Sequence, residues 1–409
     1  MWEQIRANKR NSIFLLMLMA AVLGALGYVL GLVFLHSPVG GMFGVAIALV
    51  IWAVLAMVSF AGGDQIFLAV SKAVPVTKDV HPQLFNVVEE MAIAASLPMP
   101  KVYIINEQGS NAFATGRNPQ RASIAVTAGL LGKLNRDELQ GVIAHEMSHI
   151  LHRDILFVTI AGVMLGAITL ISQVFLRGMF YGSMMGGSSR RYSSKSSGGG
   201  QAQIIMLVVA IVCAILAPIM ASLLYFALSR KREYLADAGG ARLSRYPEGL
   251  ASALEKISNN KVPLASANKV NAPMYIVNPL QKKGMKLSDM SSTHPPISER
   301  VKILRSMSSG ASMSDYSQAF AKVTKSKGGL VSAASLKGDE PVGIRAATAV
   351  GAMAAVGARK QSRKVGDIMR KVSKYKFVEC DCGIKMKIPP NFKGDKVKCP
   401  RCGKISGIA

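Results

Sequence analysis

The chain of 409 residues has 49 Lys and Arg against 23 Asp and Glu, a formal charge of +26, yet its mean hydropathy is positive at +0.31. Charged residues make up only 18% of the chain, against about 25% in an average soluble domain. This combination excludes an intrinsically disordered polyelectrolyte, which needs low hydrophobicity. It indicates a membrane protein in which apolar and basic residues lie in separate blocks.

Four apolar blocks of about 20 residues or more contain no Lys, Arg, Asp or Glu, and this length suffices to cross a bilayer. The blocks cover residues 12–34, 40–61, 155–176 and 203–228. We therefore predict a mainly α-helical membrane protein with four transmembrane helices, arranged as two hairpins over 1–63 and 155–228. A cleaved signal peptide is the alternative for the first block, but its apolar core is too long and a second block follows almost at once.

Basic residues predict the orientation of these spans. Arg6, Lys9 and Arg10 precede the first block, whereas the short link after it has no Lys or Arg. The positive-inside rule therefore places the N-terminus in the cytoplasm. Four crossings then place residues 64–154 and the chain after 229 on the same side. The Ser/Gly-rich connection 177–202 contains four Lys and Arg against this rule, so its side of the membrane stays open.

One predicted helix carries the residues of a metal site. Asn135 and Glu138 have the spacing of a capping box, which starts a helix. His145 and His149 lie one turn apart on it, so both imidazoles can reach one tetrahedral Zn²⁺. Glu146, beside the first histidine, can act as general base on water at the metal. The alternative is a surface helix that carries two histidines and a glutamate by chance.

A catalytic zinc needs a third protein ligand, and the sequence offers two candidates. His152 lies about 10 Å further along the helix axis than His145, too far to share the metal. Glu233 lies in a second predicted helix with Asp237 one turn later, where a second carboxylate can orient a ligand histidine. A solvated charged face is the alternative. The two intervening spans favour a ligand role for Glu233, because they return it to the side of the membrane on which His145 lies.

The order of these features resembles the HtpX family of membrane zinc endopeptidases over roughly residues 1–305. The shared features are two spans, the His-Glu-x-x-His motif, two further spans and the segment from Glu233 to Asp237. The resemblance implies a gluzincin-like α+β protease domain built from 64–154 and 229–327. It also implies that His145, His149 and Glu233 are the zinc ligands. Glu146 would be the general base, and Asp237 the carboxylate that supports a ligand.

Two further segments resemble that family. Residues 111–116 look like its edge strand beside the cleft, where a substrate adds as a β-strand. The implied substrate-binding residues are Asn111, Ala112, Phe113 and Ala114. Thr293-His294-Pro295-Pro296 with Arg300 resembles its His-Pro segment near the metal, where His294 or Arg300 would stabilise the oxyanion. For His294 the alternative is a histidine in a turn before two prolines.

The resemblance implies hydrolysis of unfolded or damaged membrane proteins in protein quality control and the stress response. The expected location is the cytoplasmic surface of a prokaryotic cell (inner) membrane, since both ligand-bearing helices run into apolar blocks. Two other classes of function are open. One is a membrane-tethered protein that binds nucleic acid or the ribosome, and the other is a catalytically silent scaffold, against which the intact motif residues argue.

The C-terminal hundred residues go beyond the family pattern. Residues 328–358 are rich in Gly, Ala and Ser and are interpreted as a linker. Eight Lys and Arg stand against one Asp over 359–376, where apolar residues recur at helical spacing. These apolar residues are Val365, Ile368, Met369 and Val372. The pattern predicts a basic amphipathic helix on anionic lipid headgroups, with a linker helix packed on its neighbours as the alternative.

Two cysteine pairs, each followed by glycine, lie near the end of the chain. They are Cys380 with Cys382 and Cys399 with Cys402. Four thiolates can close a tetrahedral structural Zn²⁺ site, which so small a core needs in order to fold. We therefore predict a zinc ribbon over 377–409 and a second zinc ion. Disulfides are the alternative, which a cytoplasmic location disfavours. Few aromatic residues are present for base stacking, so a nucleic-acid partner is not expected.

Overall fold

A computed structural model describes four main parts of the chain, residues 2–160, 230–277, 295–348 and 358–408. Short gaps inside these parts lie at 36, 158, 261, 268–271, 308–309, 327–328, 332–335 and 337–338. Single described residues elsewhere are 168, 172, 173, 177, 211, 215 and 279. Most of the predicted third and fourth spans, the connection 177–202 except Arg177, and His294 lie outside the described residues.

The first two helices form a hairpin. They are α1 (Trp2–Leu35) and α2 (Pro38–Val70), and Ser37 caps α2 by accepting a 3.0 Å hydrogen bond from Gly40 N. Within the described ranges, α2 is the one helix long and apolar enough to cross a membrane, and α1 contains a shorter apolar stretch. The axis of α2 bends at Gly62 (φ −147°, ψ 19°), next to the end of the second apolar block.

Beyond this bend, α2 enters the folded domain. Phe67 is fully buried and Leu68 is 3% exposed, and both pack against residues of the sheet. The strands are β1 (Ala73–Pro75), β2 (Lys101–Ile105), β3 (Ala112–Thr115) and β4 (Ser123–Thr127). Their order is β1-β2-β4-β3, with β2 and β4 parallel and the two outer strands antiparallel to their neighbours. Strand β3 therefore lies at an edge.

Helices cover the other face of this sheet and build the main core. The helices before the long undescribed segment are α3 (Pro82–Ala94), α4 (Ala128–Lys133) and α5 (Arg136–Leu151). The helices after it are α6, described over 230–244, then α7 (Pro247–Ser258), α8 (Ile297–Arg305) and α9 (Met313–Thr324). The capping box predicted for α5 is confirmed, since Asn135 and Glu138 exchange side-chain and backbone hydrogen bonds. Nearly all of α5 is buried, so it is the central helix of the domain.

The C-terminal region is attached to this domain. Residues 339–348, within the predicted linker, lie against α5 and α6, and Arg345 N donates a 2.9 Å hydrogen bond to Arg245 O. Helix α10 (Ala358–Val372) follows, and then two hairpins end the described chain. Their strands are β5 (Lys376–Glu379), β6 (Lys385–Ile388), β7 (Lys396–Lys398) and β8 (Ile405–Gly407).

Helix α10 packs on neighbouring parts of the protein, which was the alternative to a helix lying on lipid. Its apolar side chains Val365, Ile368 and Val372 are 8%, 7% and 8% exposed and belong to the main core. Val365 lies against Gly132 of α4. The apolar face is therefore occupied by the protein itself, and only the basic side chains of this helix remain for an anionic surface.

Candidate metal centre and active site

Two histidines and a glutamate converge between α5 and α6. The Nε2 atoms of His145 and His149 lie 3.2 Å apart. Glu233 Oε2 lies 3.7 Å from His145 Nε2, and Glu233 Oε1 lies 3.5 Å from His149 Nε2. Ligand-type atoms of all three residues lie within 4.8 Å of one another. The structure thus brings together the three residues that the sequence predicts as zinc ligands.

The close packing of α6 on α5 produces this convergence. A Cβ at Gly240 would lie 3.0 Å from His145 N, and one at Gly239 would collide with Ser148. Glycine at both positions lets the two helix backbones approach, which brings Glu233 and the residues after it towards the histidines. His152 Nδ1 instead lies 3.1 Å from Ser148 Oγ, and His152 is not part of the convergent group.

A carboxylate supports each imidazole from behind. His145 Nδ1 lies 3.0 Å from Asp237 Oδ1, a position from which a carboxylate can orient a ligand histidine. His149 Nδ1 lies 2.9 Å from Asp154 Oδ2, a partner that the sequence reasoning missed. Asp154 follows the end of α5, five residues after His149, and this position just past a helix bearing a ligand was the available signal. With Nδ1 of each ring held in this way, Nε2 is left to face the metal position.

The three residues fit a zinc ion by both spacing and charge. Ligand arms of 2.0–2.1 Å in a tetrahedron place neighbouring ligand atoms about 3.3 Å apart, close to the observed separations. Burial alone would lower the pKa of His149, but Asp154 and Glu233 raise it to about 10. The carboxylates of Glu233, Asp237 and Asp154 lie around the two imidazoles, and this negative charge favours a divalent cation. The set of two imidazoles and one carboxylate is a common catalytic zinc set.

Glu146 has the properties of a general base. It is 2% exposed, and burial raises its pKa to about 7, although a hydrogen bond from the backbone of Ala114 acts in the opposite direction. A carboxyl group with this pKa can both accept and release a proton near neutral pH. The contact with Ala114 also places Glu146 next to strand β3.

Arg300 is buried next to Asp237 and Glu233 and does not line an open cleft. Its side chain is fully buried, and its Nε and one terminal nitrogen donate to Asp237 at 2.8 and 2.6 Å. Its other terminal nitrogen lies 3.5 Å from Glu233 Oε2 and donates to Ile276 O at 3.3 Å. Burial raises the pKa of Asp237, but Arg300 outweighs it and leaves this pKa lowered. The structure therefore assigns Arg300 to supporting the ligands, in place of the direct oxyanion contact predicted for it.

A profile described as "Peptidase family M48" matches residues 79–308, more than half of the chain. The chain belongs to peptidase family M48. The Protease HtpX homolog of Dictyoglomus thermophilum is 43% identical over 306 residues, covering 75% of this chain and 94% of that protein. The Protease HtpX homolog of Streptococcus mutans is 44% identical over 304 residues, covering 74% of this chain and 99% of that protein. Membership of the HtpX family is therefore shown, and the protein is a metalloprotease.

The HtpX relatives match about three quarters of this chain over nearly their whole length, so about a quarter of this chain has no counterpart in them. A solved structure also matches, the crystal structure of S. mikatae Ste24p, with a TM-score of 0.40 at 19% identity, covering 74% of this chain and 67% of that one. Family membership does not favour the alternative of a nucleic-acid or ribosome-binding protein.

Of the predicted substrate-binding residues of this HtpX protease, Ala112, Phe113 and Ala114 lie on β3, which the structure places at the sheet edge, and Asn111 directly precedes this strand. Ala112 and Ala114 face α5 in the main core, and Phe113 packs on the opposite side against Tyr275 with ring centroids 5.3 Å apart. Asn111 is buried, and its side chain is directed to the backbone of Val277. It donates a 2.7 Å hydrogen bond to Val277 O.

The four cysteines of the tail converge on a second candidate metal position. Cys380 Sγ lies 3.3 Å from Cys402 Sγ, and Cys382 Sγ lies 3.5 Å from Cys399 Sγ, so all four are free thiols. One ligand atom from each lies within 4.8 Å of the others. Backbone hydrogen bonds from Cys402 and Arg401 lower the pKa of Cys399, whereas contacts with the neighbouring thiols raise the pKa of Cys382 and of Cys402. This arrangement fits a structural zinc ion.

Proposed function

We propose that this HtpX protease is a membrane-embedded zinc endopeptidase that hydrolyses misfolded or damaged membrane proteins at the cytoplasmic membrane surface. The observation that carries this proposal is the convergence of His145, His149 and Glu233 beside a buried Glu146 on the same helix. The edge strand next to Glu146 offers main chain to an extended peptide, and unfolded proteins supply extended peptides. Folded proteins do not, which favours misfolded substrates.

His145, His149 and Glu233 would hold a zinc ion, with Asp237 and Asp154 fixing the two imidazoles. When bound, zinc acts as a Lewis acid that polarises a carbonyl and lowers the pKa of water to about 7.

In the proposed reaction, Glu146 accepts a proton from the attacking water on its carboxylate. It then delivers this proton to the nitrogen of the leaving amine as the peptide bond breaks. No covalent bond to the enzyme forms. Residue His294 remains a candidate for the oxyanion contact, and Arg300 holds the Glu233 and Asp237 carboxylates in place.

We further propose four transmembrane helices with the N-terminus and the protease domain in the cytoplasm of a prokaryotic cell. The bend of α2 at Gly62, followed by the buried Phe67, supports a membrane boundary at this point. The ligand-bearing helices α5 and α6 border the segment 161–229, which contains the predicted third and fourth spans. This placement keeps the metal position close to the membrane surface.

For the tail we propose a structural zinc ion held by the four cysteines and contacts with anionic lipid headgroups. The lipid contact would use the basic side chains of α10 and the ribbon, since the apolar face of α10 is buried. Exposed basic residues include Arg363, Lys364 and Lys371. Each basic residue near an anionic membrane surface contributes about 1 kcal/mol.

Proteolysis by protein purified in detergent tests the proposed function. The zinc-loaded protein should cleave an unfolded substrate, a chelator should stop cleavage, and zinc should restore it. Glu146→Gln should keep its zinc and lose turnover, because the amide has nearly the same shape but cannot accept the proton. His149→Ala should instead lose zinc, which metal analysis detects. Equal cleavage by Glu146→Gln and the wild type would overturn the mechanism.

A further inference from the structure

Strand β3 offers a substrate only a few main-chain groups. Successive residues of a strand direct their N–H and C=O groups to alternate sides. Asn111 O accepts a 3.0 Å hydrogen bond from Thr127 N, so Asn111 faces the neighbouring β4. Ala112 and Ala114 therefore direct their main-chain groups away from the sheet, towards the position where a further strand could add.

The segment Tyr275–Val277 already occupies the position beside Ala112. Ile276 N donates a 3.0 Å hydrogen bond to Ala112 O. The Asn111 side chain holds the next residue, with Nδ2 donating to Val277 O at 2.7 Å and Oδ1 accepting from Val277 N at 3.3 Å. The same Oδ1 accepts from Ala112 N at 3.1 Å. Both main-chain groups of Ala112 thus have partners within this chain.

This segment is a fixed part of the fold. Tyr275 is fully buried and Ile276 is 1% exposed, and Tyr275 packs edge-to-face on Phe113. Arg300, which also holds Asp237, donates to Ile276 O. Displacing the segment would open the core and remove a hydrogen bond from Arg300. The segment therefore blocks a substrate strand from pairing with Ala112, and we call Tyr275–Val277 the wall.

At the other end, β3 stops at Gly116. Its φ of +139° is a conformation that other residues rarely adopt, and a Cβ there would lie 2.6 Å from Arg121 O. Between this turn and the wall, Ala114 is the one residue of β3 directed outward with a carbonyl that accepts no hydrogen bond within the described residues. It is also the most exposed residue of the strand, at 7%, against 0% for Ala112.

We propose that the wall formed by Tyr275–Val277 limits recognition of a substrate main chain by β3 to the single residue Ala114. This rests on the proposed function. Because β3 packs against α5, which carries Glu146, the one substrate amide that is bound lies close to the scissile bond. On the side of the wall, substrate residues must leave the sheet edge. The enzyme then needs only a short extended stretch, which suits chains of varied sequence that are unfolded locally.

A scan of substrate amides by N-methylation tests this proposal. We would take a peptide that the wild type cleaves within an unfolded protein and methylate each backbone nitrogen in turn, leaving the scissile bond unchanged. Methylation removes the N–H donor. In the wild type, one position should lower kcat/KM by about two- to ten-fold, the effect of one main-chain hydrogen bond. Methylation two residues away, at the level of Ala112, should have no such effect.

Ile276→Pro is the informative variant, because proline has no N–H to donate to Ala112 O. With the wall loosened, a second sensitive amide should appear two residues from the first. Ile276→Val keeps the N–H and should give the wild-type pattern. Thermal melting and zinc content show whether each variant is folded.

If Ile276→Pro does not fold, the N-methylation scan with the wild type alone tests whether β3 binds a single substrate amide. Two sensitive amides spaced by two residues in the wild type would overturn the proposal while leaving the protease function intact. A folded Ile276→Pro with the wild-type pattern would also overturn it. Absence of any cleavage by the zinc-loaded wild type would overturn the proposed function and this inference together.

Discussion

Arg345 connects the C-terminal region to helix α5, which carries His145 and His149, and its removal is a direct test of that connection. One terminal nitrogen of Arg345 donates to Asp137 Oδ1 at 2.8 Å and to Gln140 Oε1 at 2.6 Å, both on the first turns of α5. Its Nε donates to Ser244 O at 3.1 Å, at the end of α6. Thr348 adds two 2.9 Å hydrogen bonds to Asp137 Oδ2. This short segment thus bridges both ligand-bearing helices.

The expected cost of Arg345→Ala follows from these contacts. Asp137 is 3% exposed and Arg345 is 25% exposed, so their ion pair is only partly screened by water. A hydrogen bond to a charged group contributes about 1.5–3 kcal/mol, and the two bonds from Thr348 keep the remaining carboxylate partly satisfied. We expect a loss of about 2 kcal/mol, below the 3–5 kcal/mol typical of breaking a fully buried pair. This corresponds to a decrease in Tm of about 4–8 °C.

Thermal unfolding of the full chain in detergent measures this effect. Arg363→Ala is the matched control, because Arg363 is exposed on α10 and no ion pair joins it to another of the described residues. It should change stability by less than about 0.5 kcal/mol. A double-mutant cycle with Asp137→Asn should show coupling of about 1 kcal/mol or more. Equal Tm values for Arg345→Ala and Arg363→Ala would refute the assigned role of this segment.

Three further predictions concern other parts of the chain. Cys382→Ser should lower the zinc content from two ions per chain to one by metal analysis, and an unchanged content would contradict the ribbon site. Gly132→Val should release α10 from α4, because a side chain at this position collides with Val365. Hydrogen exchange should become faster in α10 while α5 stays protected. Unaltered exchange would count against this packing. Burial lowers the pKa of His81 from 6.5 to about 4, and its neutral Nδ1 accepts from Leu84 N at 3.1 Å to cap α3. The free energy that this cap contributes to folding is therefore present above pH 6.5 and lost towards pH 4. The Tm of the wild type should fall over this range more than that of His81→Asn.

The part of the site that could be predicted from sequence depends on short-range geometry. Spacing within one helix determines that His145 and His149 share a face, and the capping box determines where that helix begins. Glu233 was predictable because it is carried by a second helix with Asp237 one turn later. In each case residues three or four positions apart on one helix decide the geometry.

The missed features depend on contacts between distant segments. Arg300 resembled a residue of the cleft, yet its guanidinium is buried beside Asp237, 63 residues earlier in the chain, and beside Glu233. The spacing of apolar residues in 359–376 indicated an amphipathic helix, and the structure has helix α10 over Ala358–Val372. Spacing cannot tell whether such a face meets lipid or protein, and here α4 supplies a complementary surface. The two contacts of Asn111 with Val277 likewise join residues far apart in sequence.

The position of Asp237 shows why the chain after residue 308 matters to the metal centre. Asp237 supports His145 and receives two hydrogen bonds from Arg300, and the buried Tyr316 hydroxyl lies 3.4 Å from its Oδ2. Tyr316 lies on α9, beyond the M48 match at 79–308. The segment with Arg345 then fixes the start of α5, while Asp154 holds its far end through His149. The ligand helix is therefore restrained at both ends and from behind, and two of these restraints come from residues outside the part of the chain that the family match covers.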